Sequence, residues 1–119
     1  ARGVPARRIV VAGFSQGCAM ALMTGLRHPD RLAGIAGLSG YLPLAATTPA
    51  ERSDANRDVP VFLAHGTRDP VVAPARGEAS RDALRALGYA VDWRTYPIEH
   101  TVSLDELRDL ERWLHAVLA

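Results

Sequence analysis

Gly13-Phe14-Ser15-Gln16-Gly17 sets a serine between two glycines, directly after an apolar run and directly before a helical pattern. A turn that passes from strand to helix so abruptly leaves the serine hydroxyl exposed, and glycines two positions either side remove side chains that would collide with strand and helix. The helix that follows adds unpaired backbone N–H groups and a positive dipole end beneath that hydroxyl. Serine alone is a poor nucleophile, and needs a base that is itself oriented by an acid. Two later segments offer them: His65-Gly66-Thr67-Arg68-Asp69-Pro70-Val71-Val72 supplies Asp69, and Tyr96-Pro97-Ile98-Glu99-His100 supplies His100.

Each of these residues also has a plainer reading. Ser15 fits a helix N-cap between glycines, Asp69 a turn position before Pro70, and His100 an exposed loop histidine or a cap of the last helix. His65 is a rival base, but it emerges within one residue of an apolar strand and reads as a structural residue bonding nearby backbone. His28 and His115 read as surface residues on helices. Cys18, in the first turn after the serine, is either a reactive thiol or a small buried residue packing that helix on the sheet.

The elements that must carry these residues can be traced by periodicity. Residues 8–13 form a nearly unbroken apolar run, as in a strand buried on both faces of a parallel sheet. From Gln16 to Leu26 the apolar residues recur at helical spacing until His28-Pro29 stops them. Further strands are predicted over 32–38, 59–64 and 89–96, and helices over 74–87, with Gly88 as the helix-ending glycine, and over 104–118. Ser103 and Glu106 form a capping box for the last helix. Residues 41–58, with Pro43 and Pro49, read as a long connection holding at most one short helix. This alternation predicts an α/β fold in which a mostly parallel sheet of about four strands carries helices on both faces. Ligands of such sheets bind beyond the carboxyl ends of the strands, where Ser15, Asp69 and His100 all fall. Their order along the chain is that of the α/β-hydrolases.

Composition narrows the partners. With 119 residues, 48% hydrophobic and 23% charged, the chain is long enough for a single domain, 1–119, with its own core. Fourteen basic residues against 13 acidic ones give a formal charge of +1, which offers no electrostatic case for nucleic acid or an anionic membrane. No apolar run approaches a membrane span. The single cysteine excludes an internal disulfide framework and a cysteine-rich zinc site, and points to a reducing, cytoplasmic compartment.

Gly13-Phe14-Ser15-Gln16-Gly17, Leu38-Ser39-Gly40-Tyr41-Leu42-Pro43, His65 to Val72 and Tyr96 to Val102 together resemble the bacterial carboxylesterase, lysophospholipase and acyl-protein thioesterase family of α/β-hydrolases. The resemblance implies Ser15 as nucleophile, His100 as general base and Asp69 as the acid orienting the imidazole. It further implies the Gln16 backbone N–H as one oxyanion donor, Leu42 as part of the acyl site, no cofactor and no metal. The implied activity is hydrolysis of small acyl esters or thioesters. Cys18 stands where the family usually has a second glycine, a departure expected to tighten or tilt the turn slightly.

Family members carry further strands ahead of the serine, with a loop that donates a second oxyanion N–H. Here only residues 1–7 precede the first strand, without an initiator methionine, so the chain is expected to be the carboxyl-terminal part of such an enzyme. A catalytically weak piece that needs the missing half or a partner chain is the alternative to an active esterase. The strand over 8–13 would then be an open edge, expected to pair with the missing half or with its twin in a homodimer.

Overall fold

The computed structural model describes residues 4–119; Ala1–Gly3, within the lead-in to the first strand, lie outside the described residues. Four parallel strands, β1 (Val10–Phe14), β2 (Gly34–Leu38), β3 (Val61–Gly66) and β4 (Val91–Tyr96), lie side by side in the order of the sequence. Between and after them come α1 (Gln16–Arg27), α2 (Thr48–Glu51), α3 (Pro74–Ala86) and α4 (Leu104–Leu118). Strands laid down in sequence with right-handed crossovers send the intervening helices to one face. Accordingly α1 and α3 share a core with Ile35, Val61 and Leu63, built on Leu22, Leu26 and Leu84. α4 crosses back and covers Ala36, Leu38, Phe62 and Ala64 with Trp113.

The helix ends follow their sequence signals. Ser103 accepts from the Glu106 N–H while the Glu106 side chain returns to the Ser103 N–H. Pro74 opens α3, and Gly88 follows it at φ 94°. β3 is displaced from its expected span, running to Gly66 because its ladder with β4 continues through His65↔Thr95 and Gly66↔Tyr96. The first strand lies at an open edge, as expected. β2 and β3 are buried at every position, but β1 and β4 are the two edges of this sheet, and β1 exposes Ala12 and Phe14. Its apolar run was expected to be buried on both faces; Ile9 and Val11 pack on the α1 side and Val10 on the α4 side, all only partly buried.

Close helix-to-sheet contact is bought with glycine. A Cβ on Gly34 would come within 2.5 Å of the Trp113 ring, and one on Gly25 within 2.5 Å of the Ile35 Cδ1. Gly34→Val is expected to lower stability by about 1–3 kcal/mol through displacement of Trp113, read as a shifted denaturation midpoint with loss of the tryptophan's native near-UV signal.

Candidate active site

The turn between β1 and α1 holds Ser15 at φ 60° and ψ −118°, a left-handed backbone that a residue with a side chain adopts only when its surroundings enforce it. They do so here from both sides. The Ser15 N–H donates to the Leu38 carbonyl at 2.7 Å, and its carbonyl accepts from the Cys18 N–H at 3.0 Å. Gly13 is sterically required, since a Cβ there would lie 2.0 Å from the Gly17 carbonyl oxygen. Gly17 is not: a Cβ there would meet nothing within 4 Å. The expectation that both glycines avoid collisions is therefore corrected, because one gives way and the other supplies the backbone that approaches. The Ser15 hydroxyl makes no cap bond to α1, which removes the N-cap reading and leaves it directed elsewhere.

It meets His100, whose Nε2 lies 2.8 Å from the Ser15 Oγ, while Nδ1 lies 2.7 Å from the Asp69 Oδ2. An ionised carboxylate only accepts, so Nδ1 carries the proton and Nε2 is left to accept from the serine hydroxyl. The other Asp69 oxygen accepts from the Val71 and Val72 N–H groups at 2.8 and 2.9 Å. Burial of Asp69 opposes its ionisation, but the bonds from His100, Val72 and Val71 outweigh it and hold the carboxyl below the ordinary aspartate value of 3.8. The Phe14 ring, which the sequence did not single out, lies 4.9 Å from the His100 ring and walls one side of it.

Two loops must meet for this to happen, and their backbones are joined. The Thr67 N–H donates to the Tyr96 carbonyl at 2.8 Å and the Arg68 N–H to the Ile98 carbonyl at 3.0 Å. Gly66 permits the approach, since a Cβ would fall 2.3 Å from the Ile98 oxygen. His65 lies beneath, buried in β3. Its Nε2 donates to the Val72 carbonyl at 2.8 Å, fixing the turn that presents Asp69, and stands 3.6 Å from the Asp69 Oδ2. His65 thus supports the loop of Asp69 from the core.

Remaining candidates divide. The Gln16 N–H, at the first position of α1, has no acceptor among the described residues and lies beside the serine. Cys18 is buried between α1 and β2, and burial pushes its thiol up to about 12 against the lowering effect of the Tyr41 and Gly40 N–H groups. It stays protonated at neutral pH and fills the space that Gly37 and Gly40 leave. A cleft of about 450 Å³ opens at Ser15, bordered by Phe14, Gln16, Tyr41, Val71, Val72 and Arg76. Leu42 is not on it: it is buried, its N–H donates to the Ser80 Oγ, and it lines a separate groove of about 180 Å³ beyond Tyr41. His28 closes the end of α1 by accepting from the Asp30 N–H, and His115 is exposed on α4. Among the described residues no cluster of three His, Cys, Asp or Glu side chains could hold a metal ion, and no helix is long and apolar enough to cross a membrane.

The family model for phospholipase/carboxylesterase matches residues 1–118. Acyl-protein thioesterase 1 of Yarrowia lipolytica is 44% identical over 115 residues, a match that covers 94% of this chain and 51% of that protein. The crystal structure of SOBER1 from Arabidopsis thaliana superposes with a TM-score of 0.93 at 29% identity, covering 98% of this chain and 56% of the other. That of esterase PE8 gives 0.90 at 33% identity, with coverages of 98% and 53%. The chain spans about half the length of the curated relatives it matches. Matched along nearly its full length in both sequence and fold, the chain belongs to the phospholipase/carboxylesterase family of α/β-hydrolases.

Proposed function

We propose that this chain is a serine hydrolase of carboxylic esters or thioesters, with Ser15 as nucleophile, His100 as general base and Asp69 as the acid that orients it. The reading rests on the unbroken hydrogen-bond chain from the Asp69 carboxylate through the imidazole to the Ser15 hydroxyl. In the first step the Ser15 Oγ bonds to the acyl carbon while its proton passes to the His100 Nε2. His100 then returns that proton to the departing alcohol or thiol, as the bond from acyl carbon to leaving group breaks. A water deprotonated by the same nitrogen attacks the acyl-serine and restores the hydroxyl. Asp69 stabilises the imidazolium in both halves. The Gln16 N–H is the proposed donor to the oxyanion, a contact whose loss typically costs about 2.7–4 kcal/mol of transition-state stabilisation.

A second reading is supported by β1. An open sheet edge with Phe14 39% exposed, together with Leu104 and Leu107 of α4 uncovered, favours a chain that works paired, with a further stretch of polypeptide or with a second copy. In this reading its turnover alone is low, because a second oxyanion donor comes from elsewhere. The proposed setting is the cytoplasm, where Cys18 stays reduced.

Ser15→Ala should abolish hydrolysis of a short p-nitrophenyl ester by about a millionfold, and Asp69→Asn should cost about ten-thousandfold by favouring the wrong imidazole tautomer. Retained turnover in Ser15→Ala would sink the reading. The pH dependence of stability is also specified. Because the folded carboxyl of Asp69 titrates below its unfolded value, its contribution is present above the ordinary aspartate range and lost as pH falls through the folded pKa. Urea midpoints of wild type and Asp69→Asn should therefore differ most near neutrality and converge in acid. For the paired reading, light scattering of dilute chain should show association; a monomer whose β1 amides resist hydrogen exchange would contradict it.

A further inference from the structure

The cleft at Ser15 carries a charged group that the hydrolytic steps do not use. Arg76, exposed in the first turn of α3, borders the same cleft and is the only charged side chain among the described residues lining it. Its guanidinium carbon sits 3.7 Å from the centroid of the Tyr41 ring. Among the described residues it has no carboxylate partner within salt-bridge distance and no side-chain hydrogen bond, although Arg27, Arg31, Arg57, Arg81 and Arg94 each have one. The stacking fixes the plane of the group through its face and leaves the N–H edge unspent. Such an edge matches a carboxylate or phosphate in two parallel hydrogen bonds. The stacked pair also forms the wall between the Ser15 cleft and the groove lined by Leu42, since Tyr41 and Arg76 border both. A group held there shares the cleft with the serine.

We propose that Arg76, held by Tyr41, selects esters that carry an ionised oxoacid group, carboxylate or phosphate, in addition to the scissile carbonyl. The apolar lining from Phe14, Val71 and Val72 accepts the acyl or alcohol carbons, and the arginine reads the charged end. Arg76 is then a specificity-determining residue for the hydrolysis proposed above, on which this inference rests.

The test compares matched esters. 4-Methylumbelliferyl butyrate is set against the corresponding hemisuccinate, which places a carboxylate on the acyl side, and 1-butyrylglycerol against its 3-phosphate, which places a phosphate on the alcohol side. Wild type should favour at least one anionic ester over its neutral match by about ten- to hundredfold in kcat/KM, with the preference shrinking as salt rises. Whichever pair shows it identifies the group read. Arg76→Gln should collapse that ratio toward one, and Arg76→Lys should restore part of it. Binding of the same esters to Ser15→Ala, measured by calorimetry, should show the same preference and the same loss in the Arg76→Gln, Ser15→Ala double variant. Equal handling of both pairs, or a preference that survives Arg76→Gln, overturns the inference while turnover of the neutral esters leaves the hydrolase reading standing. If anionic esters bind through Arg76 but none is turned over, the hydrolase reading fails instead.

Discussion

A strained residue sets the terms for everything around it. Ser15 sits in a left-handed backbone whose cost is of order 1–3 kcal/mol and must be met by contacts elsewhere. β2 anchors it on one side through the Leu38 carbonyl, and α1 begins at once on the other, with the Gly17 carbonyl entering the space that Gly13 leaves empty. Gly40 and Cys18 close the turn from below, since a Cβ on Gly40 would touch both the Cys18 side chain and the Ser15 carbonyl. The sequence over Leu38-Ser39-Gly40 is thus as much a part of the elbow as the elbow itself. Cys18 has the size to fill this space, and its buried thiol stays protonated at neutral pH.

The parallel topology turns that local strain into a site. Every strand delivers its carboxyl end to the same edge, so residues separated by 85 positions, Ser15 and His100, reach hydrogen-bond distance without any loop having to span the sheet. The carboxylate is kept ionised and fixed in orientation by its surroundings: two backbone N–H groups hold one oxygen and leave the other for the imidazole. His65 secures the same turn from within the core.

The sequence carried the elements because their apolar periods differ: unbroken runs for β2 and β3, helical spacing for α1, α3 and α4. The G-x-S-x-G pattern in strand-turn-helix context marked Ser15, and the strand ends marked Asp69 and His100. The edge position of β1 was expected from the family resemblance rather than from its own apolar residues. Two things lay beyond the sequence. The separation of Leu42 from the Ser15 cleft depends on the path of the connection after β2, where Leu44 also takes a positive φ. The pairing of Tyr41 with Arg76 joins residues from different connections with no shared motif. Gly66, by contrast, left a signal: a glycine at the end of a buried strand points to a close backbone approach, here that of Ile98 and Glu99.

The joint between the acid's loop and the histidine's loop is made of main-chain atoms. Thr67, Arg68, Tyr96 and Ile98 contribute N–H and carbonyl groups that almost any residue could offer, and the side chains of Thr67 and Arg68 point to solvent. Geometry written in the backbone is indifferent to the identity of what hangs from it. Charge and shape at Thr67 and Arg68 can therefore change while Asp69 and His100 keep their places. Gly66 is the position where that freedom stops.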